Sequence, residues 1–380
     1  MSAKVCLIGN ALHYPQGGGY LWIYLNWALG LRALGCDVVW LELVSPQTPS
    51  DDVAWFASAL QTHLGRYELD DALAICGPEG GSVRCSEEDG WLDLESATDA
   101  DLLLNIVYGA SSTVVRRFRR SALIDIDPGL LQVWMDRGWI SVAPHDVYFS
   151  IGETVGLSEA RFPSGSLEWH YTPPPVALDW WPLDPPPPEA PFTTVTHWGT
   201  FDEWLEDEEG QVYSNDKRDG FLPFLELPLR TDQPLELALG YIGLQPEEAE
   251  RLRALGWRVR PAEEVASTPW DFQSYVARSV GEFSCAKPSC MRFENAWVSD
   301  RTLGYLASGR PAIVQHTGPS RILPDRDGMF RFRTLDEAVE CVEAVASDYP
   351  EQSRRARALA EEHFDAQKVV GRVLERALAP

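Results

Sequence analysis

Short apolar runs alternate with longer amphipathic stretches through the first half of the chain. Lys4–Gly9 (KVCLIG) is a compact apolar run suited to a central parallel strand. A loop, Asn10–Gly19 (NALHYPQGGG), follows it, then a long apolar stretch, Tyr20–Leu34, that reads as a helix closed by Gly35. Asp37–Leu43 (DVVWLEL) predicts the next strand. The pattern continues with a helix over Asp51–His63 and strands at Ala72–Cys76, Asp101–Val107, Ala122–Ile126 and Val147–Ile151. Strands separated by helical stretches imply right-handed crossovers and a parallel sheet.

The pattern breaks at Tyr171–Pro191, which contains PPP, WWP and PPPP. So many prolines are incompatible with a helix interior or a central strand, and the run predicts a stiff connector. Strand-like runs then resume at Phe192–Thr196, Leu235–Leu239, Trp257–Val259 and Ala312–Val314. Helical patterns cover Ala338–Tyr349, Glu351–Phe364 and Val369–Ala377. The expected organisation is an α/β domain over 1–172, a linker over 173–191 and a second α/β domain over 192–364. A C-terminal helix over 365–380 closes the chain. A length of 380 residues fits two domains better than one core.

Composition narrows the partners. The net charge of −25 disfavours nucleic acid and anionic membranes. No apolar segment reaches the length of a bilayer span, so stable membrane insertion is not expected. The N-terminus lacks the charged, apolar and small-residue pattern of a signal peptide, which predicts a cytoplasmic protein. Seven unevenly spaced cysteines form no disulfide framework. Cys285 and Cys290 lack the spacing and the histidines of a zinc site, and no metal is expected.

Candidate chemistry gathers after the predicted strands, where open α/β sheets bind ligands. Gly17, Gly18 and Gly19 leave backbone without side chains ahead of a helix, where a phosphate can approach. The spacing is not the GxGxxG fingerprint of a dinucleotide site, although Glu42 lies near the end of the second strand. The stretch Trp297–Gly318 (WVSDRTLGYLASGRPAIVQHTG) reads as loop, helix, turn, strand and turn. Ser299, Asp300 and Arg301 fall at that helix start, which makes it a second anion site. Lys287 is a further cation, Lys217 a weaker one, and Thr317-Gly318 is a turn after a buried strand. Arg310, beyond the helix-ending Gly309, suits the helix C-terminus better than a ligand. His197-Trp198-Gly199-Thr200 follows the first strand of the second half, and Trp198 or Trp204 would offer a stacking surface. His13, Asp127 and the adjacent pair His145-Asp146 are proton-transfer candidates in the first half. Glu153 is a candidate acceptor contact, with His145.

These segments resemble the nucleotide-sugar-dependent glycosyltransferases of the GT-B fold. QGGGYLWIYLNWALGLRALGCDVVWLEL resembles their N-terminal glycine loop, helix and second strand. WVSDRTLGYLASGRPAIVQHTG, with FRFRTLDEA after it, resembles their donor segment, and EEHFDAQKVVGRVLERAL their C-terminal helices. The resemblance implies two Rossmann-like parallel-sheet domains facing across a cleft, with the last helix crossing back to the N-terminal domain. It implies transfer of a sugar from a nucleoside diphosphate to a small-molecule acceptor, with no bound metal and no cofactor beyond the donor. His13 then stands where inverting relatives carry their base, with Asp127 as the next candidate. His197, Trp198, Lys287, Ser299, Asp300, Arg301, Thr317 and Gly318 fall in the donor half. The acid that many relatives place at the donor helix to hold the ribose is replaced by Ser299-Asp300-Arg301. A nucleotide-sugar epimerase of the same fold and a non-catalytic sugar-binding protein remain alternatives. The donor nucleotide, the stereochemical outcome and the oligomeric state are left open.

Overall fold

The computed structural model describes residues 3–85, 90–163, 165–199, 204–206, 210–240 and 244–379. The chain divides into two compact units. The first comprises Met1–Leu157, Pro163–Ala177 and Asp365–Pro380, the second Ser158–Phe162 and Leu178–Phe364.

The first unit is built on a parallel sheet of seven strands among the described residues. They are β1 (Lys4–Gly9), β2 (Asp37–Leu43), β3 (Leu73–Cys76), β4 (Leu102–Asn105), β5 (Ser121–Asp125), β6 (Val147–Ser150) and β7 (Trp169–Tyr171). Their order is β3-β2-β1-β4-β5-β6-β7. The central strands are continuous apolar runs because helices cover both faces of a parallel sheet. Val5–Ile8 and Leu102–Leu104 are fully buried.

The helix after β1 spans Gly18–Ala33. Gly18 and Gly19 therefore form its first turn, where the sequence predicted loop. Gly17 caps it, and the Tyr14 ring lies so close that a Cβ on Gly17 would meet it at 2.1 Å. The C-terminal helix Ala366–Ala377 returns to this unit, as the resemblance implied. Its buried stripe of Val369, Val370 and Val373 packs on Gly18–Ala33. The contact is close at Gly30, where a Cβ would lie 2.8 Å from Val370 Cγ2 and 3.0 Å from Ala366 Cβ. Arg120 fixes the far end by donating to the Ala377 carbonyl at 3.1 Å. Thr172–Ala177, the start of the proline-rich run, is buried in this unit, and Val176 bridges to Asp365.

The second unit has a six-stranded parallel sheet among the described residues. Its strands are β8 (Phe192–His197), β11 (Leu235–Gly240), β12 (Arg258–Pro261), β13 (Gly281–Ser284), β14 (Ala312–Gln315) and β15 (Met329–Phe332). The order is β12-β11-β8-β13-β14-β15. A short antiparallel pair, β9 (Trp204–Glu206) and β10 (Val212–Ser214), lies between β8 and β11 in sequence. The core joins Trp198, Phe221, Trp257, Phe283 and Phe332, with Phe283 stacked on Phe332 at 5.2 Å.

Both sheets share one topological logic. The chain winds outward from β1 or β8 in one direction, then restarts on the other side with β4 or β13. The strand order reverses between β1 and β4, and between β8 and β13. Such a reversal opens a crevice at the carboxyl ends of the strands, where doubly wound sheets bind ligands.

Candidate functional site

The crevice of the second unit is visible in the strand pairing itself. β8 pairs with β11 over all six residues. It pairs with β13 only at Phe192–Gly281 and Thr193–Glu282. Beyond that point the two strands part. The Arg301 side chain fills the opening, although Arg301 belongs to the helix Asp300–Ala307. It donates to Glu282 Oε1 at 2.8 Å, to the Val195 carbonyl at 3.0 Å and to Ser284 Oγ at 2.5 Å. Val195 is on β8, and the other two partners are on β13. Arg301 thus bridges the strands that the backbone ladder leaves apart. Glu282 is fully buried, and its Oε2 has no hydrogen-bond partner.

Lys217 enters the same crevice from the short helix Lys217–Phe221. Its Nζ donates to the Cys285 carbonyl at 2.8 Å, one residue beyond β13. The ammonium also lies over the Trp297 ring, 5.3 Å from its centre. Gly220 explains the close approach of this helix, since a Cβ there would sit 2.0 Å from the Ala286 carbonyl oxygen. Lys217 is only 8 % exposed. Burial first, and then the nearby Arg301 and Lys287 charges, lower its pKa to about 7 against the opposing influence of the Cys290 and Cys285 thiols. A cavity of about 20 Å³ beside Arg301 is lined by Cys285, Trp297, Ser299, Thr302 and Gln315. It has room for one water molecule.

The loop that carries these residues toward Arg301 is held in a costly conformation. Glu294 and Ala296 have φ of 48° and 59°. Each left-handed residue with a Cβ costs roughly 1–2 kcal/mol. The turn after β14 keeps them there. Ala296 N donates to the Thr317 carbonyl at 3.0 Å, and Thr317 Oγ1 donates to the Trp297 carbonyl at 2.6 Å. Gly318, at φ +123°, lies so near Glu294 that a Cβ would meet the Glu294 carbonyl oxygen at 2.4 Å. Thr317 and Gly318 thus act on the loop. Among the other donor-side candidates, Ser299 is the N-cap residue of Asp300–Ala307 but makes no capping bond with its side chain. Asp300 opens the helix, where its charge suits the macrodipole. Lys287 is half-buried and precedes the helix Pro288–Phe293. His197 ends β8 with its ring over Gly240, whose Cβ would meet Nδ1 at 2.6 Å. Trp198 is completely buried and donates from Nε1 to Glu248 at 2.7 Å, which removes it from the stacking surface expected for it. Thr200 lies outside the described residues, as does the Trp204 side chain. Arg310 donates to the Asp184 and Ala277 carbonyls.

In the first unit the loop after β1 is pinned from below. The Glu42 carboxylate, buried at the end of β2, accepts from Ala11 N at 3.0 Å, Leu12 N at 3.3 Å and Trp40 Nε1 at 2.7 Å. Burial raises its pKa to about 7 against these bonds. His13 and Tyr14 are left exposed above it. At the end of β5, Asp125 is fully buried and its pKa is pushed up to about 6 by burial. It accepts from Gln132, Ser150 and Tyr108. Asp127 is half-buried and meets the Tyr108 hydroxyl at 3.1 Å. His145 and Asp146 do not form a dyad. His145 Nδ1 lies 2.6 Å from the Ala143 carbonyl, so it carries the proton, and Nε2 accepts from Asn105. Burial lowers the His145 pKa and keeps the ring neutral. Asp146 instead accepts from Ser121 N at 2.8 Å. Glu153 is buried.

Three polar groups that the geometry brings forward were underweighted or absent in the sequence pattern: Lys217, Glu282 and Tyr108. A lone acid inside the apolar strand GEFS was the available signal for Glu282, because a fully buried carboxylate requires a partner. Among the described residues, no cluster of three metal-ligating side chains occurs, and no helix is long and apolar enough to cross a membrane.

No family model matches the sequence, and no curated protein matches it. Solved structures do. HepE of Anabaena, in complex with UDP and glucose, is 12% identical, with a TM-score of 0.57 over 98% of this chain and 99% of that one. An α-glucosyltransferase in complex with UDP and a 13-mer DNA containing an HMU base is 10% identical, with a TM-score of 0.58 over the whole of both chains. Sucrose-phosphate synthase of Thermosynechococcus elongatus is 11% identical, with a TM-score of 0.53 over 98% of both. Likeness at these identities establishes architecture, and the chain has the two-domain parallel-sheet fold of the GT-B glycosyltransferases.

Proposed function

We propose that the protein is a glycosyltransferase that takes a sugar from a UDP-sugar and passes it to a small-molecule acceptor without a metal. The observation that carries this reading is the pair of cations at the parting of β8 and β13, Lys217 and Arg301. When the glycosidic bond breaks, the electron pair leaves with the diphosphate. Fixed positive charge at that point stabilises the transition state more than the ground state. Lys217 binds the diphosphate directly. Arg301, already spent on Glu282, acts as a fixed dipole partner at the base of the crevice. Ser299, Lys287 and the first turn of Asp300–Ala307 supply further donors. UDP as the nucleotide is supported by the GT-B neighbours solved with it.

His13 takes the proton from the acceptor hydroxyl as the sugar is transferred, and Asp127, oriented by Tyr108, is the second candidate for that role. A small neutral acceptor fits a chain of net charge −25 better than DNA does. Seven cysteines outside any disulfide suit a reducing, cytoplasmic setting.

Thermal-shift titration with UDP, GDP, dTDP and ADP tests the donor reading, because a ligand of the native state raises Tm. UDP is expected to give the largest shift, and Lys217→Ala to abolish it. A protein that none of the four stabilises refutes the proposal. Sugar turnover without an acceptor would identify an epimerase instead.

A further inference from the structure

Five aromatic rings form a continuous surface on the first unit that the donor chemistry does not use. Trp55 meets Phe56 edge-on at 5.2 Å, and Phe56 meets His13 at 5.3 Å. His13 adjoins Tyr14 in sequence, and Tyr14 meets Tyr20 at 5.9 Å. This is not core packing. Trp55 is 54% exposed and Tyr14 42%. The rings come from the loop after β1 (His13, Tyr14), from the first turn of the helix Gly18–Ala33 (Tyr20) and from the first two turns of the helix Ser50–Gly65, which follows β2 (Trp55, Phe56). They therefore stand at the carboxyl edge of the sheet, beside the reversal between β1 and β4, where a ligand is expected.

The surface is held in place. The buried Glu42 carboxylate fixes the backbone of Ala11 and Leu12 immediately before His13. The Tyr14 ring is seated on Gly17. Polar groups border the rings: Asn10 Nδ2 donates to the Tyr20 hydroxyl at 3.3 Å, which shares a hydrogen bond with the Tyr24 hydroxyl at 3.0 Å.

The rings meet edge to face, and amide and hydroxyl groups border them. A sugar ring has an apolar C–H face that packs on exposed aromatic rings and a rim of hydroxyls that polar neighbours satisfy, whereas a flat aromatic aglycone makes no use of that polar border. We propose that His13, Tyr14, Tyr20, Trp55 and Phe56 form the acceptor platform of this enzyme, and that the acceptor is a saccharide. The inference rests on the transferase reading above and specifies its acceptor.

The test is saturation-transfer NMR with methyl β-glucoside, methyl β-galactoside and methyl β-N-acetylglucosaminide, with 4-methylumbelliferone as the phenolic comparison. UDP affinity is measured by calorimetry on the same samples. At least one glycoside should bind the wild-type protein, and Trp55→Ala and Tyr14→Ala should each weaken it by about threefold to tenfold. Both side chains are exposed, so the variants are expected to fold, and unchanged UDP affinity confirms that they do. UDP binding with no glycoside binding overturns this proposal and leaves the donor reading intact. Binding of the phenol alone overturns the saccharide assignment, and equal glycoside binding by both variants overturns the platform. Glycoside binding without UDP binding overturns the donor reading and the acceptor role together.

Discussion

Removing the Lys217 charge is expected to abolish donor binding and at the same time to stabilise the free protein. Burial holds this lysine at a pKa of about 7 instead of its ordinary 10.5, with Arg301 and Lys287 as the charges that oppose its protonation. Only the protonated form attracts a diphosphate, so binding draws a proton onto Nζ. From pH 7 to pH 9 the protonated share of free Lys217 falls from about one half to about one hundredth. The second ionisation of a phosphate lies near 6, so the diphosphate's own charge is nearly constant over that interval. UDP affinity should therefore fall by up to about fiftyfold, or about 2.3 kcal/mol, between pH 7 and 9. Calorimetry at pH 7 in buffers of different ionisation enthalpy should show uptake of about half a proton per UDP bound. Uridine, which lacks the diphosphate, should show neither effect.

The stability side has the opposite sign. Between pH 7 and 10.5 the unfolded chain holds a proton on Lys217 that the folded protein has lost, so this residue's contribution to stability rises with pH across that window. Its burial penalty is fully present below 7. A depression from 10.5 to about 7 corresponds to roughly 5 kcal/mol. Lys217→Met removes that penalty but leaves the Cys285 carbonyl unpaired, at about 1–3 kcal/mol. The variant should thus be about 2–4 kcal/mol more stable near neutral pH, measured by urea unfolding, and should not bind UDP. A site that trades stability for function behaves this way. UDP affinity that is flat from pH 7 to 9, or a Met variant that keeps the wild-type slope, refutes the assignment of Lys217 to the diphosphate.

Three further perturbations follow from the same structure. Arg301→Ala strands the fully buried Glu282 without its counter-charge and should cost about 3–5 kcal/mol in denaturant unfolding. Arg301→Met with Glu282→Leu should recover most of that stability, because the buried charge leaves with its partner. Gly30→Val forces side-chain atoms into Val370 and Ala366, at about 1–3 kcal/mol, and should expose the C-terminal helix to limited proteolysis before the rest of the chain. Glu42, raised from 4.5 to about 7 by burial, makes the folded protein bind a proton more tightly than the unfolded chain, so stability falls as pH rises through that window. Glu42→Gln should flatten the slope, but both carboxylate oxygens accept N–H donors and the amide keeps one acceptor, so a loss of about 1–3 kcal/mol offsets the gain of about 3 kcal/mol at pH 8. Asp125, raised to about 6, keeps a residual slope in the same direction.

The apolar runs identified the central strands because a parallel sheet covered on both faces leaves no polar side to confuse the pattern. KVCLIG, DVVWLEL and LELAL each fall within one residue of an observed strand. Elements built from mixed residues were missed: β7 (WHY), β13 (GEFS) and β15 (MFRF) are short, and their polar residues interrupt the apolar signal. The helix start was misplaced by two residues because Gly18 and Gly19 enter the helix, where their low propensity is outweighed by packing of the apolar stretch after them. His145-Asp146 failed as a pair for a local reason: successive residues at a strand start point apart, and each found a different partner.

The proposed donor site was only half legible for a different reason. Ser299–Arg301 announces a helix start, but nothing near it announces where the guanidinium goes. Arg301 reaches back 106 residues to Val195 and 19 to Glu282, and Lys217 reaches forward 68 to Cys285. Those contacts exist because β8 and β13 are neighbours, which is a property of strand order. The parting is read in the register: β8 keeps its pairing with β11 over six residues and with β13 over two. A backbone gap in a core must be filled by something able to satisfy open carbonyls, and a guanidinium with five donors does so where a lysine would not. Arg301 then cannot stand in the core without an acid, which accounts for Glu282 in an otherwise apolar strand. That pairing uses Arg301's charge locally. The cation still available to a diphosphate is therefore Lys217, whose low pKa reflects its burial first and the neighbouring Arg301 charge after it.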